Sequence, residues 1–298
     1  GPWRLDLQEP NAMTLDTCDY WFDGVLQEEG AHVSVIQQKA LDLGRPVDVT
    51  LRFTVNTAQE YCPPEDCFLV VETPQIFTIQ VNGKALSETD EGYYRDRSFR
   101  RLPLGSRLKS GTNEIVLETL FQQSDAVYDN LKRATAFEAE KNKLTYDTEI
   151  ESVYLIGSFG VSPTGVAQEL PRDAVRYDGP FVLGPLPEHV ETVDLVAQGL
   201  PFFNGRLKLS KTVVLSEAET AGRSFCFQKL AAHVAELSIN GHKAGHWMWR
   251  PFTTGPIADD ILRSGENEFE LELTVGLRNL LGPHHLEEGD SYAVGPGS

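Results

Sequence analysis

The 298 residues, 41% hydrophobic and 23% charged, are enough to bury two hydrophobic cores and have the composition of a folded, soluble protein. Twenty-six basic against 44 acidic residues give a formal net charge of -18, a field that repels phosphate backbones and anionic lipid headgroups, so neither nucleic acid nor membrane is an expected partner. No apolar run approaches the roughly 20 residues of a membrane helix.

At the N-terminus, Gly1 to Leu7 show no basic n-region or apolar h-region, and at the far end Gly295 to Ser298 lack the order of a finished domain. The chain therefore reads as a piece of a longer protein whose compartment, cytoplasmic or secreted, its ends do not reveal. Cys18, Cys62, Cys67 and Cys226 are too few and too scattered for a disulfide framework. Cys62 and Cys67 flank Pro63-Pro64-Glu65-Asp66, where zinc finds no further ligands, and free thiols are expected.

Strands then dominate. Val47, Val49, Leu51, Phe53 and Val55 alternate with Asp48, Thr50, Arg52 and Thr54, one buried face and one wet face. Shorter strands are expected at 67–72, 76–81 and 113–120. A helix is expected between about 125 and 143, rich in Ala, Glu, Lys and Leu and free of Gly and Pro, inserted among strands rather than alternating with them. Further strands are expected at 152–157, 207–215, 224–229 and 235–239, and Phe269, Leu271, Leu273 and Val275 alternate with Glu268, Glu270, Glu272 and Thr274. This order argues against a βαβ enzyme core.

The pattern also repeats. Val81-Asn82-Gly83-Lys84 ends an alternating strand as Ile239-Asn240-Gly241-His242 does, and Ser110-Gly111-Thr112-Asn113-Glu114 precedes another strand as Ser264-Gly265-Glu266-Asn267-Glu268 does. Asn-Gly tolerates the positive φ of a tight hairpin, and Ser-Gly-x-Asn is turn chemistry. The expected fold is all-β: two tandem jelly-roll β-sandwich domains, 1–165 and 166–298, with a short helical insertion in the first and the Pro/Gly-rich stretch Pro163 to Pro187 at the boundary.

Those motifs resemble the sugar-binding-type, galactose-binding-like jelly rolls that accompany family 2 glycoside hydrolases and family 106 α-L-rhamnosidases. Tyr154 to Val161, Gln198 to Phe203 and Gly245 to Pro251 extend the resemblance over most of the chain. It implies an accessory region of a bacterial-type glycoside hydrolase, associated with a glycan or glycoside and with the enzyme's catalytic domain, whose barrel and two carboxylates have no counterpart here. Such domains bind glycan, shape a neighbouring active site, or only brace the enzyme. No cofactor is expected, and the calcium of related jelly rolls is not assignable to residues here.

The candidate carbohydrate-binding residues are Tyr93, Tyr94, Arg95, Asp96 and Arg97 in the first half and Trp247 and Trp249 in the second. Phenol faces, guanidinium forks and a carboxylate suit sugar hydroxyls, although Arg95, Asp96 and Arg97 equally make a local ion-pair cluster. Two indoles two residues apart share a face if the segment is extended, forming a stacking platform, with core or interface packing as the competing reading. Tyr20-Trp21 is a weaker aromatic pair. His242 and His246 lack the helical geometry of a metal pair, and His284-His285 with Glu287, Glu288 and Asp290 reads as a solvated polar segment more readily than as a metal loop. There is no Gly-x-Ser-x-Gly elbow, phosphate loop or His-Glu-x-x-His, so no catalytic residue is assigned and the fragment is expected not to be an enzyme. The alternatives are a structural spacer and, last, a self-contained glycosidase.

Overall fold

A computed structural model describes residues 1–283 apart from 88, 172, 173, 178 and 259. The protein is an all-β sandwich type, built from antiparallel sheets. It divides into two compact units, one of Thr14–Ile156 and one joining Gly1–Met13 to Gly157–Ser298.

In the Thr14–Ile156 unit one sheet runs in the order Val25–His32, Thr17–Phe22, Val47–Thr57, Gly111–Phe121, Thr78–Val81 and Lys84–Ala85. A second sheet orders Val153–Gly157, Phe68–Glu72, Asp96–Pro103 and Tyr93–Tyr94. Alternation decides the faces: along Val47–Thr57 every odd position is buried, so Leu51, Phe53 and Val55 enter the core with Ile115 and Leu117, while Thr50 and Arg52 look outward. The helical insertion falls where expected but breaks at Phe137, whose extended backbone separates Asp125–Ala136 from Glu138–Lys141. A further helix, Val33–Asp42, was not expected; it buries Val33, Ile36, Ala40 and Leu41, spaced for one helical face.

In the other unit the main sheet orders His189–Val190, Trp3–Leu7, Gly205–Leu215, Gly265–Val275, Val234–Ile239 and His242–Trp247. Residues 1–13 belong to this unit because Trp3–Leu7 pairs along Gly205–Leu215, with Leu5 opposite Leu209, and because the buried Asn11 amide donates to Phe159 O and Gly199 O. The core gathers Leu5, Phe203, Leu207, Leu209, Leu237, Leu271 and Leu273.

The two main sheets share strand order and register. Gly111 faces Thr57 and Ile115 faces Val81, as Gly265 faces Leu215 and Phe269 faces Ile239. The same hairpin lock holds each. Asn82 and Gly83, at φ of 50 and 70°, and Asn240 and Gly241, at 49 and 80°, supply the left-handed residues of the turn. The Asn82 amide donates to Arg107 O and Asn113 Oδ1, both at 2.9 Å, and its Oδ1 accepts from Glu114 N at 3.0 Å. The Asn240 amide donates to Ile261 O at 2.8 Å and Asn267 Oδ1 at 2.9 Å, and its Oδ1 accepts from Glu268 N at 2.9 Å. The buried Asn113 and Asn267 each close the preceding turn, accepting from the backbone N–H of Lys109 and Arg263 and donating to their carbonyls.

Candidate functional site

The segment Tyr93–Arg97 is split by its own local structure. Tyr93 is 52% exposed, but Tyr94 is 6% exposed and packs on Tyr154 with ring centroids 6.2 Å apart. Arg95 takes a positive φ of 63° and lays its guanidinium 5.0 Å from the Tyr94 ring centre. Asp96 accepts from the Ser98 N–H and hydroxyl, both at 2.9 Å, which holds its carboxyl below the usual range. Asp96 and Arg97 are exposed. The segment thus offers Tyr93 and charged edges to solvent and spends Tyr94 on packing.

The indole pair does not make a platform. The strand His242–Trp247 ends at Trp247, which is 7% exposed, packs on Phe227 at 5.8 Å and donates from Nε1 to Thr253 O at 3.1 Å. The chain bends over residues 248–250, leaving Trp249 72% exposed. The extended geometry that would put both rings on one face is absent, and packing has taken Trp247.

A more complete arrangement lies where the sequence drew least notice. On the outward face of the Thr14–Ile156 sheet, Asp19 lies directly opposite Arg52 and Trp21 opposite Thr50. The Arg52 guanidinium donates to Asp19 Oδ2 at 2.8 and 3.3 Å, stands 3.8 Å from the Glu114 carboxylate, and is 4.8 Å from the Trp21 ring centre. Its pKa is raised, chiefly by the hydrogen bond to Asp19. An indole, a fixed guanidinium, the Thr50 hydroxyl and the Val116 side chain line an open hollow of about 280 Å³. Chemically this is an apolar wall beside oriented donors and acceptors, suited to a ligand with one greasy face and a hydroxylated edge. Trp21 sits in the wet phase of an alternating strand between buried Tyr20 and Phe22, and that phase was the available sequence signal.

No family model matches the chain, and no curated protein matches it. Among solved structures it is similar to a β-D-mannosidase from Dictyoglomus thermophilum, at 12% identity over 89% of this chain and 31% of that one, TM-score 0.32. It is similar to a Streptomyces avermitilis α-L-rhamnosidase complexed with L-rhamnose, at 10% identity over 91% of this chain and 25% of that one, TM-score 0.31. A Pleurotus ostreatus lectin in complex with GalNAc follows at 10% identity, 92% of this chain and 78% of that one, TM-score 0.22. The chain spans about a third or less of the glycosidase chains first matched, down to 18% of a Novosphingobium rhamnosidase.

One group of carboxylates stands out electrostatically. Glu149 and Glu151 are pushed above the ordinary glutamate range, first by loss of hydration and then by the nearby Glu72 carboxylate. Tyr154 beside them is raised too, chiefly by burial. Among the described residues no group of three His, Cys, Asp or Glu side chains is placed to hold a metal ion; His284, His285, Glu287, Glu288 and Asp290 lie outside the described residues. All four cysteines are thiols, with Cys18 and Cys67 buried and pushed up to about 12 by desolvation. No helix among the described residues is long and apolar enough to cross a membrane.

Proposed function

We propose that this chain is a non-catalytic, carbohydrate-associated region of a larger glycoside hydrolase, two copies of one galactose-binding-like jelly-roll module acting beside a catalytic domain. The single observation that carries the glycan contact is the outward hollow where Trp21, Arg52, Thr50 and Val116 converge. A pyranose has an apolar C–H face and a rim of hydroxyls, and an indole beside a guanidinium already fixed by Asp19 offers a surface for the first and oriented donors for the second. The preorganised guanidinium lowers the ordering cost of binding. The shared register of the two main sheets supports the two-copy reading.

A glycan array followed by titration calorimetry on the hits tests this. Trp21→Ala and Arg52→Met each weaken the best glycan by about tenfold while leaving the unfolding midpoint near that of the parent protein. An array without hits, or affinity indifferent to both substitutions, refutes it and leaves the bracing role, which the packing of Tyr94 and Trp247 favours. A self-contained glycosidase is the remaining reading, and the raised carboxyls of Glu149 and Glu151 are the observation in its favour.

A further inference from the structure

The Arg52 guanidinium on the outward face of the Thr14–Ile156 sheet is held in place and outnumbered by carboxylates. Asp19 Oδ2 accepts from its Nε and Nη2, and Asp19 Oδ1 accepts from the Gly30 N–H at 2.9 Å, so the carboxylate is fastened from both sides. Arg52 Nη1 donates to nothing among the described residues. Glu114 stands 3.8 Å from Nε, Glu29 adds its negative field, and Glu118 lies opposite Thr50 in the cross-strand row that starts at Trp21. The neighbouring cations Lys39 and Arg45 are themselves paired, with Glu28 at 2.6 Å and Asp23 at 2.7 Å. One cation thus faces negative charge in excess.

Sheet pairing does not demand this set. Strand register places Arg4, Asp6 and Ser210 of the other unit where Asp19, Trp21 and Arg52 stand here. The same pairing forms there without an indole and without a carboxylate opposite a guanidinium, so the combination belongs to one unit.

We propose, resting on the glycan contact argued above, that this face selects neutral sugars over acidic ones and that Asp19 is the residue that sets the selection. A sugar hydroxyl accepts from the Nη1 N–H groups while the guanidinium stays paired with Asp19. A sugar carboxylate competes for the same guanidinium: Asp19 already holds its Nε–Nη2 edge, and at the remaining edge the incoming charge is repelled by Asp19 and Glu114. Displacing Asp19 loses its bonds to Arg52 and to the Gly30 N–H together.

Matched methyl glycosides that differ only at C6 test this: glucose against glucuronate, galactose against galacturonate and mannose against mannuronate, titrated by calorimetry into the 298-residue chain at low and raised salt. The expected result is that the neutral member of at least one pair binds at least about tenfold tighter than its acid, in a manner that needs Trp21, with the gap narrowing as salt rises. Asp19→Asn, which keeps an acceptor for the Gly30 N–H, raises the affinity for the acid about tenfold. Glu114→Gln, at an exposed position, narrows the gap about threefold and carries the test if Asp19→Asn does not fold. An acid that binds as tightly as its neutral partner, with Trp21 still required, overturns the selection and leaves the glycan contact standing. A gap that a folded Asp19→Asn protein leaves unmoved, or that Glu114→Gln leaves unmoved where Asp19→Asn does not fold, removes the carboxylates as its cause and overturns the proposal. Absence of binding by every pair, or binding indifferent to Trp21→Ala, overturns the contact and the selection together.

Discussion

Replacing Asn113 by alanine tests the hairpin lock directly. Its Oδ1 accepts from Lys109 N at 2.8 Å and from the Asn82 amide at 2.9 Å, and its Nδ2 donates to Lys109 O at 2.8 Å and Gly111 O at 3.2 Å. Four hydrogen bonds at a net ~1 kcal/mol each set an upper value near 4 kcal/mol. Lys109 is exposed, so water recovers part of its backbone bonding, and about 3 kcal/mol is expected. Amide hydrogen exchange read by mass spectrometry should show the strand Gly111–Phe121 exchanging roughly a hundredfold faster, with a matching fall in the urea midpoint. Asn267→Ala should do the same to Gly265–Val275, because Asn267 makes the corresponding bonds. A loss below about 0.5 kcal/mol at either site would show that solvent replaces the lock without cost, and the account of these turns would fail.

Trp247→Ala should cost about 3 to 5 kcal/mol, through a cavity beside Phe227 and the lost bond to Thr253 O, whereas Trp249→Ala should stay within about 0.5 kcal/mol; urea unfolding of each variant separates them. Glu149 and Glu151 hold protons more tightly folded than unfolded, so their contribution to stability falls as pH rises from the ordinary glutamate range through their raised values. The double substitution to glutamine should flatten that fall in urea midpoints measured across it, and an unchanged slope would remove these groups as its source. The chain should not release nitrophenol from aryl rhamnosides, galactosides or glucuronides. Turnover that survives repurification and disappears with Glu149→Gln or Glu151→Gln would make the glycosidase reading the leading one.

The long strands were legible because each has one dry and one wet face: Val47–Thr57 and Gly265–Val275 state their orientation in every second residue. Asn11–Leu15 carries no such signal, since all five positions are buried. Helix Val33–Asp42 was hidden by β-branched Val33, Val35 and Ile36 at its start, and only the spacing of Val33, Ile36, Ala40 and Leu41 betrays it. The strand Asp96–Pro103 was not among the expected strands. Its arginines nevertheless find places on the sheet, Arg100 against Asp90 and Arg101 over the Phe68 ring at 4.1 Å.

The candidate sites depended on a different kind of information. Whether Trp247 and Trp249 share a face turns on whether one strand runs two residues further, and end positions are the least legible feature of a strand. Trp21 becomes interesting only when Arg52 is known to sit across from Asp19, a register fixed by pairing between strands distant in sequence. That Asn82 reaches across to the Arg107 carbonyl and Asn113 folds the Lys109 turn back on itself is likewise a matter of pairing between distant strands. The asparagines that announce each hairpin in the sequence are thus the groups whose amides add to the backbone pairing of its turn, and they make the same bonds in both units while the residues around them differ.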